Sequence, residues 1–221
     1  MNLDSSTIHS SPYVGVYAIV SEKIALVPHS ISKKESKILE NALQVEIVSA
    51  QLAGTELLGV LGKANSHGII VSGIVEKEEI DKLKEIGLNA GQLDNELAVG
   101  NLVACNDSKA IVSPLLSAKD KKLAEKVLKV EVSVLKIAGS ELCGSALVVS
   151  NTGFVCHGRT TEAELKQLEQ ALNLKGIPST ANYGDPFVGN AVIANSQGVI
   201  VGEHTTSFEI LRIEEGLEGK K

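Results

Sequence analysis

The sequence predicts an α/β (α+β) fold, a propeller of five small blades related by pseudo-fivefold symmetry. The first observation is a glycine that precedes two strand-like apolar runs joined by a polar turn. This segment occurs five times, at Gly15, Gly59, Gly100, Gly144 and Gly189, with gaps of 44, 41, 44 and 45 residues. The second observation is an acidic residue twenty positions after each glycine, at Glu35, Glu79, Asp120, Glu164 and Glu209. A fixed period of this length is typical of repeat architectures.

The repeats predict a single domain over residues 1–221, because no linker separates them. The approximate units are residues 13–54, 55–97, 98–140, 141–185 and 186–217. Each unit reads as strand, strand, helix and strand, but the fifth ends without a third strand. Residues 1–6 are polar and predicted to be disordered. Residues 7–12 are predicted to supply the missing strand and close the ring, which would remove exposed strand edges.

Each element of the unit has its own pattern. We expect the repeated glycines to be axis glycines, which let the first strands approach a common axis because no side chain intervenes. Asn101, Ser145 and Asn190 directly follow three of these glycines and are predicted to line that axis with buried water. The second strands are apolar without alternation, as in strands covered on both faces. The acids lie in the first turns of the predicted helices, and pairs such as Ser32 with Glu35 have the spacing of a capping box. We therefore interpret the acids as helix-end stabilisers and not as a catalytic set.

Composition restricts the class of function. The chain is 43% hydrophobic and only 3% aromatic, with a net charge of −6. Stacking platforms for single-stranded nucleic acid are therefore nearly absent, and binding through phosphate neutralisation is disfavoured. A basic protein partner, or RNA contacted by one local patch, stays open. No apolar stretch has the ~18 residues that a membrane span needs, and the N-terminus does not read as a signal peptide. We expect a cytoplasmic protein.

Reactive or metal-binding chemistry is not indicated. The three cysteines, Cys105, Cys143 and Cys156, lie in strand-like runs and read as buried thiols in a reducing compartment. No histidine pair has metal-ligand spacing, so we predict no metal site and no cofactor.

Short motifs in the second, third and fifth units point to one family. They are Asn65-Ser66-His67-Gly68, Cys105-Asn106-Asp107, Lys129-Val130-Glu131-Val132, Val188-Gly189 and Thr205-Thr206 with Glu209. Over about residues 8–217 the chain resembles the archaeal members of the translation initiation factor 6 family, the ribosome anti-association factors. Two departures, His204 for the usual Asp and Ser207-Phe208 for the usual Gly-Pro, put the capping of the last helix in question.

The resemblance implies a pentein-type propeller that binds the large (50S) ribosomal subunit on the face that meets the small (30S) subunit. The implied contacts are a basic protein of the L14 type, L24e and the neighbourhood of the sarcin-ricin loop of 23S rRNA. Bound there, the protein would block subunit joining sterically, and the family also implies a part in large-subunit biogenesis. The implied protein is a monomer when free and is not an enzyme.

The candidate contact residues are the polar turns, which ring symmetry should gather on one face. We hypothesise that the ribosome contacts Asn65, His67, Asn106, Asp107, Asn151 and Asn195. The alternative is plain turn chemistry, since asparagine satisfies hairpin backbone needs. Two other functions stay open. One is a guanidino-modifying pentein hydrolase or amidinotransferase with a cysteine nucleophile, and the other is a scaffold for a different protein partner.

Overall fold

The computed structural model describes residues 1–219, so residues 220–221 of the predicted domain lie outside the described residues. In the described part the strands are β1 (Asn2–Ser6), β2 (Ile19–Val20), β3 (Ile24–Pro28), β4 (Glu46–Ala50), β5 (Gly62–Asn65), β6 (Gly68–Val71), β7 (Ala90–Gln92), β8 (Val103–Cys105), β9 (Lys109–Val112), β10 (Glu131–Val134), β11 (Leu147–Val149), β12 (Phe154–His157), β13 (Gly176–Ser179), β14 (Val192–Ala194) and β15 (Gly198–Gly202). The helices are α1 (Val14–Tyr17), α2 (Lys33–Leu43), α3 (Leu58–Leu61), α4 (Lys77–Glu85), α5 (Val99–Leu102), α6 (Ala118–Leu128), α7 (Cys143–Ala146), α8 (Glu162–Leu172), α9 (Val188–Ala191) and α10 (Ser207–Leu217).

The predicted five-bladed α/β propeller is confirmed. The strands form five separate three-stranded sheets, one per blade: β2-β3-β4, β5-β6-β7, β8-β9-β10, β11-β12-β13 and β14-β15-β1. In each sheet the middle strand pairs antiparallel with the first and parallel with the third, as β9 does with β8 and β10. The middle strands are almost entirely buried, as their unbroken apolar runs predict.

The ring closes through the N-terminus, but the closing strand lies earlier than predicted. The prediction of disorder fails for residues 2–6, which form β1 and pair parallel with β15 from Asn2↔Gly198 to Ser6↔Gly202. The prediction that residues 7–12 form this strand is wrong. These residues form a tight turn with a bridge between Ile8 and Ser11.

Symmetry explains why residues 7–12 are a turn. The same bridged turn stands before the glycine of other blades, as Leu52↔Thr55, Ile137↔Ser140 and Ala181↔Asp185. Ile8 occupies the position of Leu52 and Ile137, and all three are fully buried. The short strand pairs through its backbone, and of its side chains Ser6 is buried and Leu3 packs against a hydrophobic cluster of the fifth blade. We call residues 8–11, 52–55, 137–140 and 181–185 the connecting turns.

The axis glycines lie in four-residue helices that precede the first strands of the blades. Each glycine packs directly on its neighbour in the ring. A methyl group on Gly100 would overlap the carbonyl oxygen of Gly59, and Gly59 has the same relation to Gly15. The same contact joins Gly15 to Gly189, Gly189 to Gly144 and Gly144 to Gly100. The five glycine backbones therefore form a closed ring in van der Waals contact. Only glycine allows five backbones to approach this closely.

The long helices pack outside the sheets and carry the acids in their first turns. Ser32 with Glu35, Thr161 with Glu164 and Thr206 with Glu209 form complete capping boxes. Because Thr206 and Glu209 form a complete capping box, the Ser207-Phe208 departure leaves the capping of α10 intact. The acids also accept hydrogen bonds from the connecting turns: Glu79 from Ala53 N at 2.7 Å and Gly54 N at 3.0 Å, for example.

Candidate functional site

One end of the axis is built from the five turns between first and second strands. We call residues 21–23, 65–67, 106–108, 150–152 and 195–197 the hairpin rim. Residues of all five turns line a single small depression on the axis, including Ser21, Asn65, Asn106, Ser150 and Asn195. The structure therefore brings the predicted polar turns together at one end of the ring.

Three of the predicted asparagines hold neighbouring blades together. Asn65 Nδ2 donates to Asn106 O at 2.9 Å, and Asn106 Nδ2 donates to Ser150 O at 3.0 Å. Asn195 Nδ2 reaches across the closure of the ring to Ser21 O at 3.3 Å and Leu43 O at 2.9 Å. Each side-chain oxygen also accepts two backbone N–H bonds from its own turn, as turn chemistry predicts.

These contacts change which side chains are available at the rim. Asn65, Asn106 and Asn195 are 3%, 8% and 1% exposed, so they stabilise the ring from beneath the surface. Asn151 is predicted to belong with them, but the equivalent residue in its blade is Ser150, which is 2% exposed. Asn151 stands one position later, at the position that is equivalent to Asp107 of blade three, and its side chain is exposed. His67 is also exposed and Asp107 is half-buried.

A second layer of bonds joins the rim turns at Asp107. Its carboxylate accepts bonds from Ser66 N and Ser66 Oγ, both at 2.8 Å, and from Asn151 Nδ2 at 3.1 Å. Burial by itself would raise the pKa of Asp107, but the bonds from Ser66 and Asn151 favour the carboxylate and the net pKa is lowered. Across the closure, Glu22 plays a similar part by accepting bonds from Ser196 N and Oγ.

The lowered pKa of Asp107 predicts a pH-dependent contribution to stability. An acid whose folded-state pKa is depressed stabilises the fold above its unfolded pKa, about 3.9, and this contribution is lost as the pH falls through the lower folded value. We expect Asp107→Asn to cost about 1 kcal/mol at pH 7, because its bonds are charge-assisted but partly exposed. Urea denaturation from pH 7 to pH 3 checks this. The difference from the wild type should shrink below about pH 4, and a constant difference would contradict the prediction.

The buried asparagines predict a larger effect. Asn195→Ala removes two donated and two accepted bonds and leaves Ser21 O and Leu43 O without that donor. Because buried unsatisfied groups are costly, we expect a loss of about 3 kcal/mol in the free energy of unfolding. The matched control is Asn41→Ala, an exposed helical position, which should stay within about 0.5 kcal/mol of the wild type. Equal effects in the two variants would contradict the bridging role of Asn195.

The cysteines are poor candidates for nucleophiles. Burial raises the pKa of Cys105 to about 11, of Cys143 to about 12 and of Cys156 to about 11. Burial disfavours the thiolate, the form that a nucleophile requires. Within residues 1–219 no cluster of three or more His, Cys, Asp or Glu side chains could hold a metal ion. In the same part of the chain, no helix is long and apolar enough to cross a membrane.

The axis itself is polar, as the residues after the glycines predict. Asn101, Ser145 and Asn190 line a narrow channel together with the five glycines. Sequence reasoning missed Lys63, which lines the same channel. It also missed Ser150 and Glu22, although their offsets from the repeated glycine match those of Asn106 and Asp107.

Comparison with known proteins agrees with this architecture. The model of the eIF-6 family matches residues 3–216, nearly the whole chain. The chain belongs to the eIF-6 family. The match spans residues of all five blades, including most of β1 and most of α10.

Archaeal relatives support the same family membership. A protein named translation initiation factor 6 from Methanosarcina mazei is 37% identical over 183 residues, which cover 82% of this chain and 83% of the relative. The proteins of that name from Staphylothermus marinus and Pyrococcus horikoshii are 35% and 33% identical. They align over 193 and 197 residues, covering 85% of both chains in the first case and 86% of both in the second. As a member of the eIF-6 family, the chain is an initiation factor of protein biosynthesis.

Proposed function

We propose that this protein binds the large ribosomal subunit and sterically prevents its association with the small subunit. The observation that carries the proposal is the hairpin rim, a surface built from all five blades and fixed by hydrogen bonds between them. A steric block requires a rigid body, because a flexible one would yield to the incoming subunit. The family and the names of the archaeal relatives support the same function.

We propose the exposed tips of the rim as the contact surface. The tip residues are Lys23, His67, Ser108, Asn151 and Gln197, with the half-buried Asp107 among them. The buried Asn65, Asn106 and Asn195 would act indirectly, by holding these tips in place. The net charge of −6 favours a basic protein of the L14 type as the main partner, with L24e and the sarcin-ricin loop nearby.

The protein would act in the cytoplasm, where the subunits meet, as a monomer when free and without a cofactor. The same contact would allow it to accompany the large subunit during biogenesis. No step of covalent chemistry is required, since occupancy of the joining face is sufficient.

Two matched variants test the contact surface. Gln197→Trp places a bulky side chain on the rim, and Gln170→Trp makes the same change on the exposed outer face of α8. Co-sedimentation with purified archaeal 50S subunits measures the affinity. We expect Gln197→Trp to weaken binding about tenfold or more, which corresponds to about 1.4 kcal/mol, and Gln170→Trp to bind like the wild type.

The possible failures are distinguishable. Weaker binding only for Gln170→Trp would move the contact surface from the rim to the outer helices. A wild-type protein that does not sediment with 50S subunits would overturn the proposed function itself.

A further inference from the structure

One charged side chain lies inside the ring. Lys63 stands four positions after its axis glycine, where the other blades have apolar residues: Ile19, Ala104, Val148 and Ile193. These four residues pack in the hydrophobic clusters between blades. Lys63 lines the axial channel, which has about 40 Å³ of space, and three of its apolar equivalents, Ile19, Val148 and Ile193, line it too. At this position of the repeat, Lys63 is the one charged residue.

The Lys63 ammonium has no protein partner among the described residues. None of its neighbours there forms a hydrogen bond or an ion pair with Nζ. Burial lowers the pKa of Lys63, and the side chains that counteract this are the thiols of Cys105 and Cys143. Burial raises the pKa of both thiols, so they are protonated at neutral pH and supply no negative charge. Lys63 is half-buried, so its ammonium is partly removed from water, and a cation in that position without a counter-charge favours a bound anion.

Three polar side chains face the same channel. Asn101, Ser145 and Asn190 line it, and their side chains form no hydrogen bond with residues 1–219. Each carries an N–H or O–H donor. Among residues 1–219 no carboxylate lines this section, and Glu22 and Asp107 border the adjoining depression at the hairpin rim. The section therefore combines one cation with several neutral donors and has no fixed anion.

We propose that Lys63, Asn101, Ser145 and Asn190 form a binding site for a small monovalent inorganic anion of the chloride class in the axial channel. The ammonium supplies the charge and the amides and hydroxyl supply further donors. The volume decides the size of the ligand. A water molecule needs about 10–15 Å³ of such space, so the channel accommodates a halide with one or two waters and excludes a nucleotide.

Crystals of the wild-type protein grown or soaked in sodium bromide test the site directly, because bromide replaces chloride and scatters anomalously. The expected result is an anomalous peak on the axis within hydrogen-bonding reach of Lys63 Nζ. Ordered waters without an anomalous peak would overturn the proposal.

Thermal unfolding tests the site in solution. At constant ionic strength, replacement of glutamate by chloride should raise the Tm of the wild type by roughly 3–6 °C at about tenfold excess over Kd. Lys63→Met should lose this rise, while the exposed control Lys122→Met should keep it. A bromide peak in the crystal without a chloride-dependent Tm would be binding at crystal concentration only and would overturn the proposal.

A second variant guards against misfolding of Lys63→Met. Asn101→Asp places a carboxylate in the channel, where it should substitute for the bound anion. This variant should unfold at the same Tm with and without chloride. A chloride response equal to that of the wild type would contradict the site.

Discussion

Replacement of Gly100 by valine is expected to leave no folded protein. The new Cβ would overlap the carbonyl oxygen of Gly59, and a backbone atom that belongs to a closed ring cannot move aside without opening it. The cost should exceed about 5 kcal/mol, which is comparable to the whole stability of a small domain. Circular dichroism and size-exclusion chromatography of the purified variant check this result.

A second glycine separates steric overlap from backbone conformation. Gly87 has a φ of +86°, and nothing lies within 4 Å of the position that a methyl group would occupy. Gly87→Ala should therefore cost only about 1–2 kcal/mol, because alanine must adopt a left-handed conformation there. If Gly100→Val were as stable as Gly87→Ala, the axial ring would not be as tightly closed as the structure describes.

Deletion of residues 1–6 is expected to open the ring. It removes the five-residue pairing of β1 with β15 and the bond from Asn2 Nδ2 to Ala42 O at 3.3 Å, which joins blade five to α2 of blade one. At about 1 kcal/mol for each backbone bond lost, we expect a loss of about 3 kcal/mol or more. The uncovered edge of β15 should also cause self-association. Urea denaturation and light scattering measure the two effects.

The control for this deletion keeps the strand and changes only an exposed side chain. Ser5→Ala should stay within about 0.5 kcal/mol of the wild type, because β1 acts through its backbone. A synthetic peptide of residues 1–7 should restore monomeric behaviour to the shortened chain. A shortened chain that stays monomeric and fully stable without the peptide would show that the closure contributes little.

The periodic glycines and acids are sufficient to predict the fold. Their spacing reports two local needs that every blade shares, close approach at the axis and capping of the outer helix. The closing strand could not be found in this way. Asn2–Ser6 is polar and mostly exposed except for the half-buried Leu3 and the buried Ser6, and a single apolar residue is too weak a pattern to predict a strand. Ile8 gives a misleading strand signal, because a buried apolar residue of a connecting turn resembles the start of a strand.

The candidate site is only partly predictable for a related reason. Selection by residue type chooses Asn151, whereas the offset from the glycine would choose Ser150. Burial of Asn106 depends on the neighbouring blade, which lies 44 residues further along the chain at Ser150. Lys63 is visible only by comparison with the four apolar residues at its symmetric positions.

We propose that a rigid ring, closed by its own N-terminal strand, occupies the joining face of the large subunit. Archaeal 50S subunits incubated with the wild-type protein and then mixed with 30S subunits test it on a sucrose gradient. We expect the protein to migrate with free 50S subunits and the 70S peak to fall in proportion to its occupancy. A 70S peak of full height that still carries the bound protein would contradict it.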